Sequence, residues 1–160
     1  MIRLRRATRL CTALALAAAV PLTLPAQQRT TPKQFFGHDI GADYELPNYS
    51  KLHQYWITIA KESDRVVLDT IGLTEEGRPQ IMAIVTSPAN HRNLARYKDI
   101  STRLAKAEGL DSAAAAALAR DGKVIFWIDG GLHATEVLGA QQLTETLWQL
   151  SSRTDPETVR

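Results

Sequence analysis

The feature of this chain that most constrains its fold is a short apolar run followed by two glycines, a histidine and a glutamate: Val124-Ile125-Phe126-Trp127-Ile128-Asp129-Gly130-Gly131-Leu132-His133-Ala134-Thr135-Glu136. Five consecutive apolar residues between turn-forming residues predict a buried β-strand over residues 123–128. A helical pattern begins at Val137. His133 and Glu136 are therefore expected at the end of a strand, in the bend before a helix.

His133 and Glu136 have the chemistry and the spacing of metal ligands. Residues three apart meet across a bend or a single helical turn, so one imidazole and one carboxylate converge. Catalytic zinc sites accept both groups and use three protein ligands, with water in the fourth position. We therefore predict that His133 and Glu136 are two of three Zn²⁺ ligands. Asp129 either hydrogen-bonds a ligand histidine or caps the loop after the strand, which is the commoner role for an aspartate there.

No other histidine is assigned to zinc. His38, His53 and His91 have no carboxylate or histidine partner at useful spacing in the sequence. His53 is expected at the surface of a helix, and His38 in a loop with a structural role.

The remaining patterns alternate between helix and strand. Strands are predicted over residues 65–71 and 80–86, joined as a hairpin by a turn with Gly77 available for a positive φ angle. Helices are predicted over residues 50–63, from Ser87 or Asn90 to Gly109, over 111–120 capped by Asp111, and over 137–151. Together they indicate an α/β layered domain with a mixed β-sheet flanked by helices.

The N-terminus has the composition of an export signal. Four arginines precede an apolar core over residues 10–24, and Ala26 is a suitable cleavage residue. We therefore predict a signal peptide over residues 1–26 and a polar lead-in and loop over 27–49. The apolar core is short and contains Pro21, so no stable membrane span is expected after signal removal. Cleavage would remove Cys11 and leave no cysteine, which excludes a disulfide framework.

The charge balance argues against a nucleic-acid partner. The formal net charge of +2 depends on the four arginines before residue 10; without them, 15 basic residues face 17 acidic ones. A mildly acidic body lacks the positive surface that binds phosphate backbones. The composition, 44% hydrophobic and 22% charged, is typical of a folded globular domain. It gives no indication of an oligomeric state.

Three segments, taken in order, carry a resemblance to a known family: Phe36-Gly37-His38-Asp39-Ile40-Gly41, Glu76-Gly77-Arg78-Pro79 and Gly131-Leu132-His133-Ala134-Thr135-Glu136. Over about residues 36–150 the chain resembles the zinc carboxypeptidases of the M14 (carboxypeptidase A-like) peptidase family. The last segment matches the family's His-x-x-Glu motif, which implies that His133 and Glu136 are the first two zinc ligands. Thr135 departs from the pattern, because many members place a substrate-binding arginine there.

The resemblance also implies what the chain lacks. The family's third ligand, a histidine, and its general-base glutamate lie downstream of the matching region. Thr154-Asp155-Pro156-Glu157 has the pattern of a helix start. We therefore expect residues 50–160 to be the N-terminal part of a zinc carboxypeptidase-like catalytic domain, truncated after the first strands. Alone, this part is expected to be inactive.

The function implied is that of an exported, zinc-dependent metallocarboxypeptidase acting on the C-terminal bond of a peptide or peptide-like substrate. Two alternatives remain open. One is a zinc-dependent amidohydrolase or deacylase of the same architecture, for which Thr135 leaves room. The other is a non-catalytic exported binding domain whose metal site has decayed.

Overall fold

The computed structural model describes residues 29–159, so the predicted signal peptide lies outside the described residues. Seven helices and two strands occur among them, in this order: α1 Pro32–Phe36, α2 Tyr49–Glu62, β1 Val66–Leu73, β2 Pro79–Val85, α3 Pro88–His91, α4 Leu94–Lys106, α5 Ser112–Asp121, α6 Val137–Ser152 and α7 Pro156–Val159. None of the helices in this part of the chain has the length and apolar character needed to cross a membrane.

Helix α2 supplies much of the core. It matches the predicted helix, except that Asn48 caps it rather than Ser50: the Asn48 side chain accepts a hydrogen bond from the backbone N–H of Lys51. Tyr55 and Ile59 on its apolar face are fully buried. They form one cluster with Val66 of β1 and Leu147 of α6. The core therefore lies where α2, the hairpin and α6 meet.

The segment before α2 is partly helical, where the sequence predicted only a lead-in and loop. Thr31 and Gln34 form a reciprocal capping box around Pro32, which starts the single turn of α1. Phe35 then packs edge-on against Tyr55, with ring centroids 5.1 Å apart. The Tyr55 hydroxyl donates to the carbonyl of Thr30 at 2.9 Å. These contacts fix the segment against α2, while residues 37–48 remain loop as predicted.

The hairpin is confirmed. β1 and β2 pair antiparallel from Val66 opposite Val85 to Leu73 opposite Pro79. Gly77 has a φ angle of +72°, which the turn requires and which only glycine adopts without strain. α2 contacts β1 and α6 contacts β2, so helices cover the two-stranded sheet.

The prediction of a strand over residues 123–128 is wrong. These residues form no strand, and the apolar side chains 124–128 are 62–85% exposed. Segment 124–132 instead lines an open groove together with β2 and α6. The apolar run indicated burial, but a strand also needs a neighbouring edge for its backbone hydrogen bonds. Among residues 29–159 the structure has a small antiparallel sheet of two strands, not the predicted mixed sheet.

The helix predicted between Ser87 and Gly109 is divided in two. Ser87 caps the single turn of α3, accepting from the backbone N–H of Asn90, and α4 begins at Leu94. α4 ends at Lys106, and its cap residue Ala107, with a φ angle of +54°, lies two residues before the predicted stop at Gly109. Asp111 caps α5 as predicted.

Helix α6 covers the predicted span. Its buried residues are Gln141, Thr144, Leu147 and Ser151. Leu147 is buried, whereas Leu150 is exposed. The chain then turns into α7, where Asp155 accepts hydrogen bonds from Thr158 and Arg153, which lower the pKa of Asp155 to about 2.

Candidate metal centre

Glycines allow the loop that carries the predicted ligands to lie close against α6. Gly131 has a φ angle of +87°, which turns the chain sharply after the apolar segment. A Cβ atom at Gly130 would lie 2.7 Å from the carbonyl oxygen of Gly139 in α6. The backbones of loop and helix therefore touch without intervening side chains. Gly139 was missed in the sequence because its role depends on a contact with residues eight and nine positions earlier.

The structure brings His133 and Glu136 together. His133 Nδ1 lies 2.8 Å from Glu136 Oε1, and the His133 backbone N–H donates to Glu136 Oε2 at 3.4 Å. A turn holds the two residues, because the Glu136 N–H donates to the carbonyl of His133 at 3.0 Å. Both side chains are more than half exposed. The predicted convergence of imidazole and carboxylate is therefore present, at the residue immediately before α6.

The donor set of this pair fits part of a zinc site. Two protein ligands on one tetrahedral zinc ion lie roughly 3.4 Å apart, given metal–ligand distances of about 2.0–2.2 Å. His133 Nδ1 and Glu136 Oε1 are 2.8 Å apart in a direct contact, so these exposed side chains would have to move apart to bind one zinc ion. Residues 29–159 contain no group of three or more His, Cys, Asp or Glu side chains placed to hold a metal. Within the described residues, His133 and Glu136 are therefore a pair of possible donors without a third.

A comparison with protein-family models places this loop in a known context. Residues 52–160, more than half of the chain, match the model of the zinc carboxypeptidases, the M14 peptidases. The chain belongs to this family. No curated protein matches, and neither does any solved structure. The matched region includes the hairpin, the His133–Glu136 loop and α6, and members of this zinc carboxypeptidase family are zinc enzymes.

Asp129 has neither of the roles considered from the sequence. Its Oδ2 accepts a hydrogen bond from the Trp127 indole at 3.1 Å. The contact joins two residues of the exposed apolar segment and points to no role at His133. Arg78 forms an ion pair with Glu76 at 2.9 Å and is largely exposed, as expected for an arginine in a solvated turn.

Among residues 29–159, none of the other three histidines joins the His133–Glu136 pair in a group of three possible metal ligands. His38 Nδ1 lies 3.0 Å from the carbonyl of Asp39, and its Nε2 lies 3.7 Å from Glu45 Oε2, a carboxylate that the spacing in the sequence did not indicate as a partner. The His38 side chain is only 17% exposed, consistent with a structural role in its loop. His91 Nε2 contacts the carbonyl of Arg65 at 2.9 Å.

Gln141 is a second residue near this site that sequence reasoning missed. It is 4% exposed in the second turn of α6. Its Oε1 accepts from the backbone N–H of Gly41 at 2.8 Å, and its Nε2 donates to the carbonyl of Glu45 at 3.3 Å. Gln141 thus fastens the loop of residues 37–45 to the helix that follows Glu136. The available signal was its position three and six residues before Thr144 and Leu147, on one helix face.

Proposed function

We propose that this chain provides the first two zinc ligands, His133 and Glu136, of an exported metallocarboxypeptidase that hydrolyses C-terminal peptide bonds. The observation that carries the proposal is the 2.8 Å approach of His133 Nδ1 to Glu136 Oε1. It occurs in a turn inside the region that matches the zinc carboxypeptidases. Export is supported by the arginine-rich start and the apolar core of residues 10–24.

The direct contact between the two side chains competes with metal binding. An ionised carboxylate only accepts hydrogen bonds, so a hydrogen bond in this pair requires the proton on His133 Nδ1. Zinc binding requires Nδ1 without its proton and Glu136 ionised, so the direct hydrogen bond gives way when the metal enters. Bound zinc would supply Lewis-acid polarisation of the substrate carbonyl. His133 and Glu136 would hold the metal in the loop between segment 124–132 and α6.

We propose that the third ligand and the general base lie outside residues 29–159. Within these residues no further metal-binding side chain joins the pair. General-base catalysis typically contributes on the order of 10²–10⁴-fold, so residues 1–160 alone should lack peptidase activity. Peptides are the substrates expected for a member of this family.

Thr135 supports a second candidate, a zinc-dependent amidohydrolase or deacylase. It lies exposed between the two proposed ligands, and its side chain offers no guanidinium for a substrate carboxylate. A matched substrate pair separates the candidates: an acylated dipeptide with a free C-terminal carboxylate, and the same dipeptide amidated. A carboxypeptidase cleaves only the free acid, whereas a deacylase that ignores the carboxylate cleaves both. If neither is turned over while zinc is retained, the non-catalytic binding domain is favoured.

The proposed ligands are tested by metal analysis of the full-length natural protein after gel filtration. Wild type should retain stoichiometric zinc, and His133→Ala and Glu136→Ala should lose it, because too few donors remain in fixed geometry. His53→Ala and Glu108→Ala are the matched controls, since neither side chain lies at the loop. Circular dichroism confirms that each variant is folded. Stoichiometric zinc in His133→Ala would place the site elsewhere and refute the proposal.

A further inference from the structure

We propose that Gly139 is a positioning residue for the zinc loop: its bare backbone sets the distance between His133 and Glu136. The inference rests on the function proposed above. It concerns a residue that touches neither metal nor substrate and acts only through the loop that precedes α6.

The contact between loop and helix is reciprocal and involves backbone on both sides. A Cβ atom at Gly139 would lie 2.5 Å from the Gly131 nitrogen and 3.2 Å from the Gly130 carbonyl carbon. From the other side, a Cβ atom at Gly130 would lie 2.7 Å from the Gly139 oxygen. Backbone atoms cannot rotate away as a flexible side chain can. Any side chain at residue 139 therefore moves the loop, the helix start or both.

The two proposed ligands lie on opposite sides of this contact. His133 follows Gly131 by two residues and moves with the loop. Glu136 begins α6, and its carbonyl accepts from the Gly139 N–H at 3.3 Å, so it moves with the helix. A displacement of Gly131 relative to Gly139 changes the separation of the Nδ1 and Oε1 atoms, now 2.8 Å. Metal affinity depends on that separation, because zinc ligands have a narrow range of distances.

Helix propensity and the contact between Gly139 and the loop make different predictions for Gly139→Ala. Alanine is the better helix former, so Gly139→Ala would stabilise α6 if the contact with the loop had no role. If Gly139 positions the loop, the same substitution should weaken zinc binding whatever happens to helix stability.

The experiment measures zinc affinity by chelator competition in the full-length protein for wild type, Gly139→Ala and Gly72→Ala. Gly72 is the matched control, because the nearest atom to an added Cβ is the Gln80 side-chain oxygen at 3.9 Å. Groups that orient ligands without touching the metal typically change metal affinity about 10–100-fold when mutated, and we expect a loss of this size for Gly139→Ala. Gly72→Ala should bind as wild type does.

A metal-free measurement separates this inference from the proposed function. In zinc-free protein, the NMR resonances of the His133 imidazole should shift in Gly139→Ala while those of His53 stay in place. Unchanged zinc affinity with unchanged His133 resonances would overturn the inference, and so would a lower melting temperature without either effect. If wild type binds no zinc, the proposed function fails, and the His133 resonances still decide whether Gly139 sets the loop. Gly130→Ala probes the same contact from the loop side if Gly139→Ala does not fold.

Discussion

Replacing Gln141 by leucine should detach the loop of residues 37–45 from α6. Gln141 is 4% exposed and holds the loop at two points, the Gly41 N–H at 2.8 Å and the Glu45 carbonyl at 3.3 Å. Leucine fills a similar volume but offers neither an acceptor nor a donor. Both backbone groups of the loop must then find water or remain unpaired.

The expected loss follows from the geometry of these two bonds. A typical intramolecular hydrogen bond contributes about 0.5–1.5 kcal/mol net, and a buried group left unpaired costs more. The shorter bond to Gly41 belongs at the upper end of that range and the longer bond to Glu45 at the lower end. The free energy of unfolding should therefore fall by about 2 kcal/mol. For a domain of this size that corresponds to a decrease in Tm of very roughly 6–10 °C.

Gln142→Leu is the matched control, because Gln142 is the next residue of α6 and is exposed. Thermal unfolding should show a clear decrease for Gln141→Leu and little change for Gln142→Leu. Hydrogen exchange adds a local measurement: the Gly41 amide should exchange faster in Gln141→Leu only. If the Gly41 amide keeps its protection from exchange in Gln141→Leu, the hydrogen bonds of Gln141 do not hold the loop in solution, and the reasoning is refuted.

Three further outcomes are expected. Burial, with the carboxylates of two nearby glutamates, raises the pKa of Tyr55, so above pH ~10 the unfolded chain releases a proton that the folded protein keeps. The free energy of unfolding should then fall as the pH rises beyond that value, and Tyr55→Phe should reduce this slope; an equal slope in both proteins would contradict it. Leu147→Ala should cost about 2–5 kcal/mol in denaturant unfolding, and Leu150→Ala clearly less, because only Leu147 is buried; equal losses would be inconsistent with this packing. N-terminal sequencing of exported protein should begin near Gln27, and a mature chain that keeps Met1 would refute signal cleavage.

The sequence predicted best those features that depend on residues close together in the chain. The hairpin with its turn at Gly77, the cap at Asp111 and the approach of His133 to Glu136 are all short-range. A turn or cap requires a few residues with suitable φ angles and side-chain oxygens, and these are readable from the sequence. Errors at such positions are small: Asn48 rather than Ser50 caps α2.

The sequence failed where the outcome depends on a distant partner. The apolar run at residues 124–128 has the composition of a strand, but strand formation needs a second edge, which a local pattern does not reveal. His38 and Glu45 meet across an irregular loop. Gln141 reaches back 100 residues to Gly41. The Gln141 contact follows from packing of α6 against the loop of residues 37–45 rather than from spacing in the sequence.

The contacts of Gly139 and Gln141 indicate that α6, rather than a buried strand, supports the proposed metal site. From the sequence, His133 and Glu136 were expected to be held by the end of a buried strand. In the structure the residues before them are exposed and unpaired in any strand, so they give the loop little support. The first two turns of α6 provide the support instead, through Gly139 against the loop and Gln141 against residues 37–45. Substitutions in these turns should therefore disturb the ligand pair more than substitutions of equal size in the apolar segment before it.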